Sequence, residues 1–134
     1  MNRFKITTVL KTNIDDSHEI ISNEFVGTLK QTAGHIELRY EEPDNGKALC
    51  VINNEGMKIH RRGIINSIME FMPHETTNHP YATPQGTLNL EIETLCWQSQ
   101  IHDSRGMVYA LYIVKINGVP ATNNELTIRW EPCK

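Results

Sequence analysis

The sequence predicts an all-β domain built as an antiparallel meander. Three observations carry this expectation. Apolar and polar residues alternate with period two in several separate stretches. Short turn signals rich in Asn, Asp and Gly divide those stretches at intervals of roughly ten residues. No segment keeps a convincing helical period. Successive side chains of a strand point to opposite faces, so each alternating stretch has one face for the core and one for water. Antiparallel sheets have that pattern, whereas parallel strands buried on both faces do not.

The elements follow in chain order. Arg3–Asn13 alternates Phe4, Ile6 and Leu10 with Lys5, Thr7 and Lys11. It ends at Asp15-Asp16-Ser17, and Glu19–Gln31 is the next strand candidate, closed by Ala33-Gly34. His35–Glu42 sets Ile36, Leu38 and Tyr40 against His35, Glu37, Arg39 and Glu41, before the turn Pro43-Asp44-Asn45-Gly46. Ala48–Asn53 and Met57–Arg62 flank Asn53-Asn54-Glu55-Gly56, and Arg62-Gly63 ends the second of them. Asn and Gly accept the positive φ that tight hairpins need. Ile64–Met72 fits a helical stripe at 64, 65, 68, 69 and 72, but lacks an N-cap and lies between strand candidates; a strand is the favoured reading. Pro73 to Gly86 carries three prolines and reads as the longest loop. Thr87–Ile101 alternates Leu88, Leu90 and Ile92 with Asn89, Glu91 and Glu93, and Ser104-Arg105-Gly106 reads as the following turn. Met107–Ile116 is apolar on both faces, so its outer face needs a cover, and a second copy of the chain is the candidate. Asn117-Gly118 then leads to Glu125–Trp130.

With 134 residues, a composition 39% hydrophobic and 22% charged is that of one globular domain spanning residues 1–134. No linker, repeat or low-complexity segment divides it. A net charge of −3 disfavours a nucleic-acid partner held by a strongly basic surface. No apolar run approaches the ~20 residues of a membrane helix. The start MNRFKITTVL lacks the apolar run of a signal peptide, and three widely spaced cysteines, Cys50, Cys96 and Cys133, suit a reducing cytoplasm better than a disulfide framework.

Specific chemistries meet weak signals. His74 and His79 lie five apart with no second ligand pair, so no metal is expected. His102-Asp103-Ser104 holds the residue types of a hydrolase triad, but adjacent residues cannot adopt its geometry. Glu91 and Glu93 share a strand face and read as solvated. No enzyme or cofactor is called. Lys58, His60 and Arg62 share the face opposite Met57, Ile59 and Arg61; an inward Arg62 would anchor an anionic head group.

The order Tyr40-Glu41-Glu42, Gly46-Lys47, Arg62-Gly63, Phe71, then Tyr81-x-Thr83-Pro84-x-Gly86 and Thr94 resembles the YwiB-like family of uncharacterised bacterial proteins over nearly the whole chain. The resemblance implies a calycin-like or lipocalin-like antiparallel β-barrel of eight to ten strands, and no established activity. Gln85 stands where members often carry an aromatic, which implies a more open or more polar barrel mouth. The leading expectation is a cytoplasmic barrel that takes a small or lipid-like ligand, with Tyr40, Glu41, Lys47 and Arg62 near its mouth. The competing expectation is a solid barrel that works through its outer surface as a homodimer.

Overall fold

The computed structural model describes residues 3–43, 46–63 and 66–133; of Ala82 and Thr83 only the backbone is considered. The described residues form ten strands and no helix: β1 Phe4–Ile14, β2 Ser17–Thr32, β3 His35–Glu41, β4 Lys47–Asn53, β5 Gly56–Arg62, β6 Ser67–Phe71, β7 Thr76–Thr83, β8 Gly86–His102, β9 Arg105–Ile116 and β10 Val119–Pro132. Among the described residues no helix is therefore long and apolar enough to cross a membrane. One antiparallel sheet runs in the order β6-β5-β4-β3-β2-β1-β10-β9-β8-β7. Every neighbour but one is consecutive in the chain; the exception is β1 with β10, paired from Phe4↔Pro132 to Asn13↔Asn123.

The period-two pattern sets which side faces in. Ile36, Leu38 and Tyr40 of β3, Ala48, Cys50 and Ile52 of β4, and Met57 and Ile59 of β5 are all buried. Phe4 and Ile6 meet them from β1, Val108, Ala110 and Tyr112 from β9, and Ile128 and Trp130 from β10. Phe71 of β6 is fully buried and sets its ring edge-on to Tyr112, centroids 4.7 Å apart. These side chains form one core inside the barrel, as small barrels allow. Burial pushes the Tyr112 hydroxyl up to about 12 and the Cys50 thiol up to about 11, so neither ionises near neutral pH.

The Pro73–Gly86 stretch is not a loop. It contains β7, which pairs with β8 from Thr76↔Glu93 to Thr83↔Gly86. Pro80 is tolerated because β7 is at the end of the sheet and needs a ladder on one side only. Ser67–Phe71 is a strand as expected, while Ile64 and Ile65 lie outside the described residues. The turn before β9 is Asp103-Ser104, with Asp103 at φ 52°, so Gly106 is already inside a strand. β10 starts six residues earlier than its alternation suggests (Val119 rather than Glu125), across an irregular register between Pro120 and Thr122.

β6 and β7 close the barrel through side chains. The Glu70 N–H donates to His79 Nε2 at 3.1 Å, and the Thr77 hydroxyl donates to the Glu70 carbonyl at 2.7 Å. An accepting Nε2 must be unprotonated. Partial burial, with some help from Lys58 and against Glu70, lowers the His79 pKa below its ordinary 6.5. The unfolded chain then binds the proton more readily than the folded one. The stability from this seam is therefore complete above about 6.5 and is lost as pH falls through the lower folded-state value. Exchange protection of the Glu70 amide is expected to fall on acidification below 6.5, and a His79→Gln variant is expected to lack that dependence. Protection that stays flat from pH 7 to 5 in the wild type would contradict this coupling.

Candidate functional site

The β3–β4–β5 sheet carries the site. Its inward apolar residues force the alternate ones outward, so Arg39 and Glu41, Lys47 and Leu49, and His60 and Arg62 share one external face. The register then sets them in rows. Glu41 pairs with Lys47 and Lys47 with Arg62; Arg39 pairs with Leu49 and Leu49 with His60. A close backbone approach supports the first row. Gly63, at φ 152°, approaches Gly46 so nearly that a Cβ on it would lie 2.9 Å from the Gly46 Cα. Its N–H donates to Asn66 Oδ1 at 3.2 Å, and the Glu42 N–H donates to the Gly46 carbonyl at 2.8 Å. The absence of side chains at Gly46 and Gly63 lets their backbones approach closely beside Lys47 and Arg62.

A groove of about 670 Å³ runs over this face. Val26, Thr28 and Leu49 contribute apolar surface to it, and Arg39, Lys47, His60 and Arg62 contribute basic groups, against the single carboxylate of Glu41. Arg39 is engaged elsewhere, donating to Glu37 Oε1 at 2.7 Å. Hydrogen bonds from His35 and then from Arg39 hold the Glu37 carboxyl below its usual range. Lys58 pairs with Glu70 at 3.8 Å. Among the described residues, neither Lys47 nor Arg62 is in an ion pair. Like charges directly opposite on a sheet repel, and Glu41, opposite Lys47 on its other side, offsets part of that repulsion.

The four residues singled out from the sequence all border this groove, which lies on the outer face of the sheet at the ends of β3 and β5 and the start of β4. Arg62 points outward, because Met57 and Ile59 reserve the other face of β5 for the core; Arg61 is the residue of core parity. Its Nε lies 3.4 Å from Glu42 Oε1. The Tyr40 ring is also turned inward, stacked on Phe25 at 4.5 Å with its hydroxyl beside Cys50 Sγ. Burial raises its pKa far above the ordinary tyrosine range. Arg39, His60 and Leu49 were missed as site residues, although the same alternation puts them on the face of Arg62 once the strands are in register.

The remaining candidates disperse. A cavity of about 210 Å³ beside Arg61, Met69, Tyr81, Leu90, Ile92 and Val114 is the interior space at this end of the barrel. Ligand pockets usually measure about 300–1,000 Å³, so this one is small for a ligand. Lys115 takes Glu93 at 2.9 Å, which raises the lysine pKa. The outer side of β9 is half-buried within the chain rather than bare. The Tyr109 hydroxyl donates to Glu125 Oε1 at 2.6 Å, which pushes its pKa up to about 12. Among the described residues, no three His, Cys, Asp or Glu side chains are placed to hold a metal ion.

Fold and site together define a ten-stranded meander barrel, nearly closed, with a basic groove on its outer wall. The chain belongs to the DUF1934 family, a domain of unknown function, whose model matches residues 5–128. Its fold is similar to the crystal structure of the ywiB protein from Bacillus subtilis, with a TM-score of 0.86 at 18% identity, covering 99% of this chain and 93% of that one. No curated protein sequence matches it.

Proposed function

We propose that this protein is a non-enzymatic binding protein for a small anionic amphiphile, held in the outer groove rather than in the barrel. The observation that supports this reading is the Lys47–Arg62 pair, two cations set opposite each other, neither of them in an ion pair among the described residues. A carboxylate or phosphate between them would relieve their repulsion and accept from both, Arg62 offering a fork that suits either oxyanion. Val26 and Leu49 beside them would take the apolar part of the ligand. The volumes favour the same choice, about 670 Å³ outside against about 210 Å³ inside. Three free cysteines support a reducing compartment, and a cytoplasmic location is part of the proposal.

Octyl phosphate and octanoate are suitable probes, titrated by calorimetry. A charge-assisted hydrogen bond contributes about 1.5–3 kcal/mol, so Lys47→Ala and Arg62→Ala are each expected to weaken binding about tenfold or more. Arg61→Ala, on the opposite face of the same strand, is expected to leave it unchanged. Equal losses at 61 and 62 would reduce the effect to general surface charge and overturn the assignment. The small interior space also favours work done at the outer surface through another protein chain, and a different edge of the sheet bears on that.

A further inference from the structure

The long hairpin of β1 and β2 projects past the end of β3. β3 finishes at Glu41, and the last β2 residue paired with it is Gly27, opposite Tyr40. From Ser17 to Val26, β2 has a partner on one side only, β1. Ser17 to Glu24 are all exposed. Ile20 is 65% and Ile21 43% exposed, with Ile14 and Val26 also bare nearby. The accessible surface of the chain, 8691 Å², exceeds the roughly 7,000 Å² of a compact monomer of this mass, as a projecting arm would require.

Such an edge presents unpaired N–H and C=O groups, and sheets usually blunt it with proline, lysine, a bulge or brevity. The run SHEIISNEF has no proline, glycine, lysine or arginine, and its register to β1 is unbroken. The outer side of β8 also lacks a ladder partner past Thr94, whose backbone bonds to His74 and Glu75, but there a bulge between Thr94 and Cys96 bends the strand.

Hairpin geometry fixes which groups are free. A two-residue loop closes on a hydrogen-bonded pair, here Ile14 with Ser17. Bonded pairs then alternate, so odd-numbered residues of β2 bond to β1 and even-numbered ones face away. The hairpin from β2 to β3 closes on Thr32 with His35 and independently gives the same parity. His18, Ile20, Ser22 and Glu24 therefore offer their backbone groups to an incoming strand.

We infer that the occupant is a second copy of this chain, its β2 edge antiparallel to the first about a two-fold axis through Ile21. In that register Ile20 and Ser22 of one copy bond to Ser22 and Ile20 of the other, and His18 bonds to Glu24. Ile21 faces its own counterpart, and the His18 imidazole lies opposite the other copy's Glu24 carboxylate. Asn13 already engages His18 Nδ1, which leaves Nε2 for that carboxylate. An axis through Ile20 would bring His18 to Ser22 and run Glu24 into the turn; one through Ser22 would set His18 against Val26 and Glu24 against Ile20. Only the Ile21 axis pairs apolar with apolar and the imidazole with a carboxylate. The contact uses the same patch twice, so it closes at two chains.

Sedimentation of the full chain at about 100 µM is expected to give twice the monomer mass. Ser22→Pro removes an outward N–H that β1 does not use, and is expected to give a monomer with an unchanged β circular-dichroism spectrum. A non-hydrogen-bonded pair has its Cα atoms about 4.5 Å apart, within disulfide reach. In a Cys133→Ser background, Ile21→Cys is thus expected to oxidise to a covalent dimer and Ile20→Cys is not. A wild-type monomer at that concentration would overturn the inference. So would a dimer that survives Ser22→Pro, or one lost instead on Leu111→Glu in β9, or equal cross-linking at 20 and 21. If Ser22→Pro fails to fold, the contrast between the two cysteine variants decides.

Discussion

Gly106→Ala is expected to destabilise the protein by about 3 kcal/mol, at the upper end of the usual cost of overpacking. Gly106 stands opposite Trp130 in the β9–β10 ladder, and the indole lies across it. A Cβ there would be 2.8 Å from Trp130 Cη2, with two other ring atoms closer still. Trp130 is only 2% exposed and is the largest of the fully enclosed side chains. Relief requires either a shift of the indole off its rotamer or a spreading of two central strands. Urea unfolding followed by tryptophan fluorescence would measure the loss. Gly34→Ala is the contrast: Gly34 sits in open space at φ 91°, so its substitution carries only the left-handed backbone cost of about 1–2 kcal/mol. A loss below about 1 kcal/mol at 106 would mean that the indole is not held where the structure places it.

Phe71→Ala is expected to cost about 3–5 kcal/mol. β6 is a five-residue end strand, and Phe71 is its one fully buried side chain. The ring anchors it to Tyr112 on the far wall. Truncation leaves a cavity and also removes an aromatic pair that adds about 0.5–1.5 kcal/mol of its own. The seam to β7 depends on Glu70, the next residue, so the loss is expected to spread there. Exchange protection of the Glu70 amide should collapse together with global stability. Ile68→Ala, on a side chain 48% exposed, is expected to stay within about 1 kcal/mol. Comparable losses at 68 and 71 would contradict the anchoring role.

These two residues show how far the sequence could be read. Phe71 was visible as an apolar position in a short ambiguous segment, but its weight comes from Tyr112, about forty residues away in the chain. Gly106 looked like part of a turn, because glycine after Ser-Arg usually is. Its role is set by an indole from the neighbouring strand. β7 was hidden for a related reason. Proline argues against a strand wherever both edges must be paired, and only the sheet order reveals that this strand is at the end. The site followed the same division. Arg61 and Arg62 were correctly placed on opposite faces, yet which of the two faces the core depended on where Met57 and Ile59 were buried.

What the sequence determined by itself is the local repeat: strands, their alternation, most hairpin turns, and hence an antiparallel all-β meander. Those properties depend on residues within a few positions of one another, through the pleat and the φ preferences of Asn, Asp and Gly. Only the tertiary structure decided the pairing of β1 with β10, the side-chain seam between β6 and β7, the opposition of Lys47 to Arg62, and the bare edge of β2. Each of these joins or leaves unjoined residues far apart in the chain. A period-two pattern says which face of a strand is apolar, but it carries no information on which other strand will lie beside it.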